Sequence, residues 1–462
     1  MKLIKKIAAM LFAFAMVFSM TGVVQADETT DGSITINNAI EGQTYTIYKI
    51  LDLESYDGNN YSYKAESGWD AFITGAGKSY LKTNENGYVE FVGTKADMPA
   101  FAKSALQFAK DNGLAKVASK TADATNTVTF GTLSLGYYLI DSSTGALCSL
   151  DTTRPTATVQ EKNSVPTVDK TIIDSNYTTK KNSANIGDTV LFKTTIDVEK
   201  GAENYVLHDK MDAGLTFVSI HSVQANKPSP VLGTDCILQT KNLGDDCTFH
   251  LVFTQEYLNN LTDSHEIDVV YGATVNENAK INQANTNQTW LTYGDNKKSN
   301  VDETQTFSFG IPVFKYTGLT KTGLADAQFK LYNDKACKDE VKLTKADDHT
   351  YRVDPKGNAT MVSPIDGKFN VNGLKAGTYY LKEMAAPKGY NKLANPITVT
   401  IDNDGNITAD GKTTTEVGVE NKSGTLLPST GGMGTTLIYL AGIVLVVLSG
   451  YVLISKRRAS TK

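Results

Sequence analysis

The feature that most limits what this chain can become is an uncharged stretch from about Leu437 to Ile454, closed by Lys456-Arg457-Arg458. An apolar run of that length can cross a bilayer as one helix, and a basic cluster directly after it stays on the cytoplasmic side. A second apolar stretch, Ile7 to Phe18, follows Lys2, Lys5 and Lys6 and precedes Val24-Gln25-Ala26. A charged region, an apolar region and a small-residue cleavage site describe an export signal over 1–26, with the mature chain expected to begin at Asp27. The body between these segments is thus expected to fold outside the cell and to be held at its C-terminal end.

Just ahead of the span lies Leu427-Pro428-Ser429-Thr430-Gly431. Pro428 fixes one dihedral and removes a donor, so the peptide enters a groove extended and kinked. Gly431 leaves the Thr430 carbonyl open to a nucleophile. Pentapeptide, span and basic tail, together 425–462, resemble the sorting signal of Gram-positive wall proteins, Leu-Pro-any-Thr-Gly. The resemblance implies attack by the thiolate of a sortase and an acyl-enzyme at Thr430.

At 462 residues, the body has room for roughly three domains. The net charge of -5 comes from interspersed charges of both signs, and no nucleic-acid partner is expected. Four cysteines in a long exported chain make no disulfide framework. Cys148 and Cys337 lie in different segments. Cys236 and Cys247 flank one expected hairpin and read as isolated small buried residues. The histidines (His208, His221, His250, His265 and His349) are scattered, and His265-Glu266 lacks a second histidine at metal-ligand spacing. With no serine elbow or zinc pattern either, the sequence gives no support to an exported enzyme, and neither metal nor cofactor is expected.

The body alternates in the manner of strands. Thr44-Tyr45-Thr46-Ile47-Tyr48 and Val190 to Ile196 show period-two patterning rich in β-branched and aromatic residues. Asp57-Gly58-Asn59, Asp366-Gly367 and Asp404-Gly405 mark turns. Asp402-Asn403-Asp404 hints at a calcium loop, but Ile407 stands where an EF-hand needs glycine, so a hairpin turn is expected there. One helix is expected in the first third, opened by Asp97 and Pro99, faced by Phe101, Ala105 and Phe108, and closed by Gly113. Apparent linkers at Gln160 to Pro166 and near Phe309-Gly310-Ile311-Pro312 divide the body into 27–163, 164–310 and 311–424. The fold class expected is all-β: three tandem immunoglobulin-like sandwiches, one helix inserted in the first, an export signal and a C-terminal membrane helix. Leu133 to Asp141 echoes Leu374 to Glu383, each with an acid two residues after Tyr-Tyr-Leu, which points to a shared fold for the first and third domains.

Signal, three β domains and sorting signal together resemble a shaft pilin of sortase-assembled Gram-positive pili, and the resemblance covers essentially the whole chain. Tyr379-Tyr380-Leu381-Lys382-Glu383, followed by Ala386-Pro387-Lys388-Gly389-Tyr390, is similar to the glutamate-bearing strand of the B-type collagen-adhesin repeat. In that family a first-strand lysine condenses with a last-strand asparagine, assisted by the glutamate. The matching residues are Lys315 (with Lys321 a nearby competitor), Asn421 and Glu383. The middle domain resembles the A-type relative. There the match implies Lys170 as the amine, Asp209 rather than Asp212 as the acid, and Asn287 or Asn285 as the acceptor, a choice set by strand register. An apolar site lowers a lysine pKa and raises a carboxyl pKa, so a neutral amine can attack an amide polarised by a protonated acid. In the first domain Asp141 sits where Glu383 sits, but 27–40 holds no lysine and Lys49 falls at the end of the next strand. No such bond is expected there.

An acylated Thr430 needs an amine. Val159, Lys162 and Asn163 match the Val-Tyr-Pro-Lys-Asn of shaft pilins, with Gln160-Glu161 in place of Tyr-Pro, and Lys170 follows a few residues on. Lys162 is the implied acceptor, and such a heterologous contact generates an open fibre. The resemblance implies a non-enzymatic pilus subunit at the cell wall whose precursor passes through the plasma membrane. Its implied partners are a sortase, further copies of itself, accessory pilins and peptidoglycan precursor, with a host ligand as a further candidate. The alternative is a monomeric wall-anchored adhesin that binds a host ligand directly.

Overall fold

The computed structural model describes residues 32–56, 60–94, 97–142, 145–151, 156–161, 165–175, 177–198, 202–226, 228–261, 265–294, 297–424 and 434–459. The export signal, Lys162 and the 427–431 pentapeptide lie outside the described residues. Strands dominate and fall into three successive groups of sheets.

In the first group, Gly32–Asn37 runs parallel to Thr156–Gln160 and antiparallel to Thr127–Leu133. The long strand Thr44–Tyr56 lies between Tyr61–Ala65 and Gly136–Ser142 in a second sheet. Ile34, Ile36, Tyr45, Ile47 and Phe130 form one apolar core. The expected helix is present as Met98–Asp111, its Phe101 and Ala105 fully buried and Phe108 packed against Trp69 and Phe72. Two short helices escaped the sequence reading: Asp70–Thr74, and Gln255–Asn259, which Thr254 caps by accepting the Tyr257 N–H. A helix of about one turn is too short to show a 3.6-residue period.

The second group has one sheet in the order Tyr177–Thr179, Thr167–Asp174, Thr189–Val198, His265–Val275 and Leu215–Ala225. Its other sheet runs Lys181–Ser183, Asp302–Phe307, Ala284–Tyr293, Val206–Met211, Phe249–Phe253 and Cys236–Gln239. Burial alternates with period two along Thr189–Val198 and Ala284–Tyr293, so each strand turns one face to the core. Cys236, Cys247 and Cys337 are free. Cys236 opposes Phe253 at the far end of the strand from Cys247, so the hairpin does not bring the two together.

In the third group, Phe309–Thr317 runs antiparallel to Lys368–Leu374 and parallel to Val417–Glu420. Gln328–Tyr332, Gly377–Ala385, Ile397–Ile401 and Ile407–Ala409 form the other sheet. The Asp402 carboxylate accepts the backbone N–H groups of Asp404 and Asn406, making the expected hairpin turn with Gly405 at φ +85°.

Phe309 to Pro312, expected as a linker, instead opens a strand one residue after Asp302–Phe307 ends. Around it Gly310 N–H donates to Asn282, Ile186 N–H to the Gly373 carbonyl, Lys375 N–H to Asn185 and Ala376 N–H to Ser183. One apolar cluster runs through the second and third groups. The first group meets the second through Gln43, which donates to the Tyr293 hydroxyl at 2.9 Å, and through a Lys110–Glu203 ion pair at 3.1 Å. The helix Gly434–Ala459 contains the apolar segment, with a mean hydropathy of 2.6 in an 18-residue window of Leu437–Arg457, and is long and apolar enough to cross a membrane.

Candidate functional site

Lys170 sits at an inward position of Thr167–Asp174, in line with the core residues Val168 and Ile172, so its amine has no route to water. The same alternation turns Asp209 inward on Val206–Met211 and both Asn285 and Asn287 inward on Ala284–Tyr293. Lys170, Asp209 and Asn287 are each 0% exposed. Lys170 Nζ donates to Asp209 Oδ2 at 2.6 Å and to the Tyr271 hydroxyl, which itself donates to Asp209 Oδ2. Asn287 Nδ2 lies 3.4 Å from that hydroxyl. Phe192 and Tyr271 place ring faces 5.3 and 4.8 Å from the amine.

Asn285 is committed elsewhere. Its Oδ1 accepts the Lys280 N–H at 2.9 Å and its Nδ2 donates to the Lys280 and Thr306 carbonyls. Asp212 lies at the surface with Lys280 at 2.8 Å. Of the alternatives left by the sequence, the structure therefore brings Asp209 and Asn287 to the amine. Asn287 is not on the last strand of its group, because Asp302–Phe307 follows it. Burial pushes the Lys170 amine below its ordinary pKa against the pull of Asp209, and pushes the Asp209 carboxyl up against the pull of Lys170. Burial and the neighbouring Asp209 hold Tyr271 well above the usual tyrosine range. Tyr271 was missed from sequence. Its signal was there, a hydroxyl at an inward position between Val269 and Ala273 on an otherwise apolar strand face.

The third group holds a second cluster of the same composition. Lys315 is 0% exposed on Phe309–Thr317, Glu383 is 2% on Gly377–Ala385, and Asn421 is 1%, just past Val417–Glu420. Glu383 bridges the other two. Its Oε1 lies 3.5 Å from Lys315 Nζ, and its Oε2 accepts Asn421 Nδ2 at 3.0 Å and the Leu393 N–H at 2.8 Å. Lys315 Nζ also donates to the Val419 carbonyl at 3.2 Å. Burial lowers the Lys315 pKa, with Glu383 opposing. Lys321 is exposed in a turn and lies over the Tyr316 ring, so Lys315 is the lysine of this cluster. The amide oxygens of Asn287 and Asn421 and one carboxyl oxygen of Asp209 are buried without a hydrogen-bond partner. Such atoms cost about 1–3 kcal/mol each, which is unusual in a well-packed core.

The first group repeats the scaffold without the chemistry. Glu161 N–H donates to the Asn37 carbonyl at 2.9 Å, as Asn421 N–H donates to the Tyr316 carbonyl at 3.0 Å. Ile36 opposes Val159 as Lys315 opposes Val419, so Ile36 stands in the lysine position and Glu161 in the asparagine position. The buried Glu161 neighbours the Tyr45 hydroxyl. Asp141 is buried against Lys110 at 3.4 Å, whereas Lys49 meets Asp52 and Ser134, so these two are not brought together. The sequence echo needs a shift of one residue. Tyr138 and Tyr379 each donate to the carbonyl four residues back, at 2.7 and 2.8 Å, which aligns Asp141 with Lys382 rather than Glu383.

The multi-domain β architecture is that of Gram-positive backbone pilins. The chain aligns with the T6 backbone pilin of serotype M6 Streptococcus pyogenes at TM-score 0.54 and 17% identity, covering 82% of this chain and 81% of that one. Full-length major pilin SpaD from Corynebacterium diphtheriae aligns at TM-score 0.51 and 16% identity, covering 87% and 99%. Residues 311–415 match the SpaA prealbumin-like fold domain. A fimbrial subunit type 1 from Actinomyces viscosus is 31% identical over 170 residues, covering 30% of this chain. The match spans only 31% of that relative's length.

Proposed function

We propose that this chain is a structural subunit of a covalently polymerised cell-surface pilus, supporting adhesion. The observation that carries this reading is the pair of buried lysine–acid–asparagine clusters within a backbone-pilin fold. A charged lysine with no exposure is costly even beside an acid, and removal of water favours its neutral form.

In each cluster the lysine amine attacks the asparagine Cγ. The Nζ–Cγ bond forms, the amide C–N bond breaks, and ammonia leaves. A proton passes from the amine to the carboxyl and from the carboxyl to the departing nitrogen, leaving the acid unchanged. The spacing in the third group suits this relay, with one Glu383 oxygen toward the amine and the other toward the amide nitrogen. In the second group Tyr271 stands between Asp209 and Asn287 and would complete the path. The products are Lys170–Asn287 and Lys315–Asn421 isopeptide bonds.

Between subunits, a sortase thiolate opens the Thr430–Gly431 bond of Leu427-Pro428-Ser429-Thr430-Gly431, and Lys162 of the next copy takes the acyl group. The precursor is held meanwhile by the apolar helix in the plasma membrane, and the finished fibre is anchored to peptidoglycan, with accessory pilins joining by the same chemistry. The Gram-positive host expressing Lys162→Ala tests the joint. The expected result is loss of the high-mass ladder that wild type gives on cell-wall gels. A ladder that survives removes Lys162 as acceptor, and no ladder in wild type favours a monomeric adhesin.

A further inference from the structure

His208 and His250, scattered in the sequence, stand directly opposite each other on the antiparallel strands Val206–Met211 and Phe249–Phe253. Their ring centroids are 4.1 Å apart. The loop entering the second strand adds Asp245 and Cys247, and the ligand atoms of all four residues lie within 4.8 Å of one another. His208 Nδ1 is 3.7 Å from Cys247 Sγ and 3.3 Å from Asp245 Oδ2, and His250 Nε2 is 3.0 Å from that same oxygen. This cluster occupies the face of the strand opposite to Asp209 and takes no part in the lysine chemistry.

From these distances we infer that His208, Asp245, Cys247 and His250 form a tetrahedral site for a divalent transition-metal ion, zinc in the first instance. Zinc bonds of about 2.0–2.3 Å at tetrahedral angles set ligand atoms roughly 3.3–3.8 Å apart, close to the separations found. The donor set is two imidazoles, a thiolate and a carboxylate, which suits zinc in softness and neutralises its charge once the Cys247 proton has left to solvent. The outer contacts match as well. His208 Nε2 is 2.9 Å from Thr292 Oγ1, which leaves Nδ1 free to bind, and the ring stacks on Trp290 at 5.3 Å. Lys298 is the nearby opposing charge, its Nζ 4.1 Å from the Trp290 ring. Bound metal would tie the 240–248 loop to two strands of the sheet that carries Asp209 and Asn287.

The test uses the full chain in detergent, with thiols reduced, titrated with Co2+ and then Zn2+. One Co2+ per chain is expected, with the visible bands of a tetrahedral ion and a thiolate-to-cobalt charge-transfer band, both displaced by Zn2+. Cys247→Ser should abolish the charge-transfer band, and His250→Gln should weaken binding more than tenfold. Thr292→Val should weaken it roughly 10–100-fold by freeing the His208 ring, whereas His221→Gln, at an exposed histidine outside the cluster, should change nothing. Circular dichroism checks that each variant folds, and Cys247→Ser and His250→Gln are the deciding pair. No cobalt spectrum in wild type, or one that survives both of those substitutions, overturns the site.

Discussion

Removing water from a lysine amine is the costly step at both clusters, and the acid beside it decides what becomes of the proton. Asp209→Asn keeps the shape around Lys170 but removes its acid, and the cross-link is expected to fail. The Lys170 pKa is lowered in the folded state by burial, so the unfolded chain takes up the proton first as pH falls below the ordinary value of about 10.4. Stability of this variant should therefore fall as pH drops from that value toward the depressed one, by at most about 1.4 kcal/mol per pH unit. Denaturant midpoints should be higher at pH 9 than at pH 7, and equal midpoints would contradict the assignment. Intact mass of the full chain gives a second reading, with a deficit of two ammonia molecules expected. Glu383→Ala should restore one and cost on the order of 4 kcal/mol by the chain-entropy estimate for a loop of about 100 residues. Tyr271→Phe should reach the same final mass more slowly. A mass equal to the sequence value would refute both bonds.

At the scale of strands, the two bonds differ. Lys315 lies on one strand of a parallel pair in one sheet and Asn421 directly follows the other, whereas Lys170 and Asn287 lie in the two different sheets of their group. The first group has the parallel first and last strands of the third but Ile36 and Glu161 at the reacting positions. Limited proteolysis should accordingly cut first within residues 27–163 and leave the rest as a resistant fragment. First cuts in the middle or third group would contradict this. Much of the arrangement was legible in sequence through the motifs that carry the resemblance, which implied Lys170, Asp209 and Lys315, and in the structure the period-two alternation of their strands turns all three inward. Alternation alone left Asn285 and Asn287 equivalent, since both face inward, and only the hydrogen bonds from Lys280 and Thr306 separate them. Nor did it reveal the His208–His250 pairing, because the partners of adjacent strands are set by register over some 40 residues of intervening chain. The Gly367 turn is similar. Asp366-Gly367 was readable as a turn, but a Cβ there would fall 2.0 Å from the Lys315 carbonyl, a closeness that only the fold discloses.

Across the whole molecule, load entering at one end would meet unlike junctions. The second and third groups share a continuous apolar cluster and hydrogen bonds donated by the backbone N–H groups of Ile186, Gly310, Lys375 and Ala376, whereas the first is joined by polar contacts such as Gln43–Tyr293 and Lys110–Glu203. Contacts of the second kind allow relative motion of neighbouring domains. In the proposed fibre the covalent path would run from Lys162 through Lys170 and the two internal bonds to Asn421, a few residues before Thr430. Tension would then be carried by amide bonds rather than by strand ladders alone. Mass spectrometry of cross-linked peptides from assembled wall material tests this path most directly. The expected product is a peptide in which the Thr430 carbonyl is joined to Lys162 Nζ of another copy. Thr430 joined only to peptidoglycan stem peptide, or left uncleaved, would contradict it.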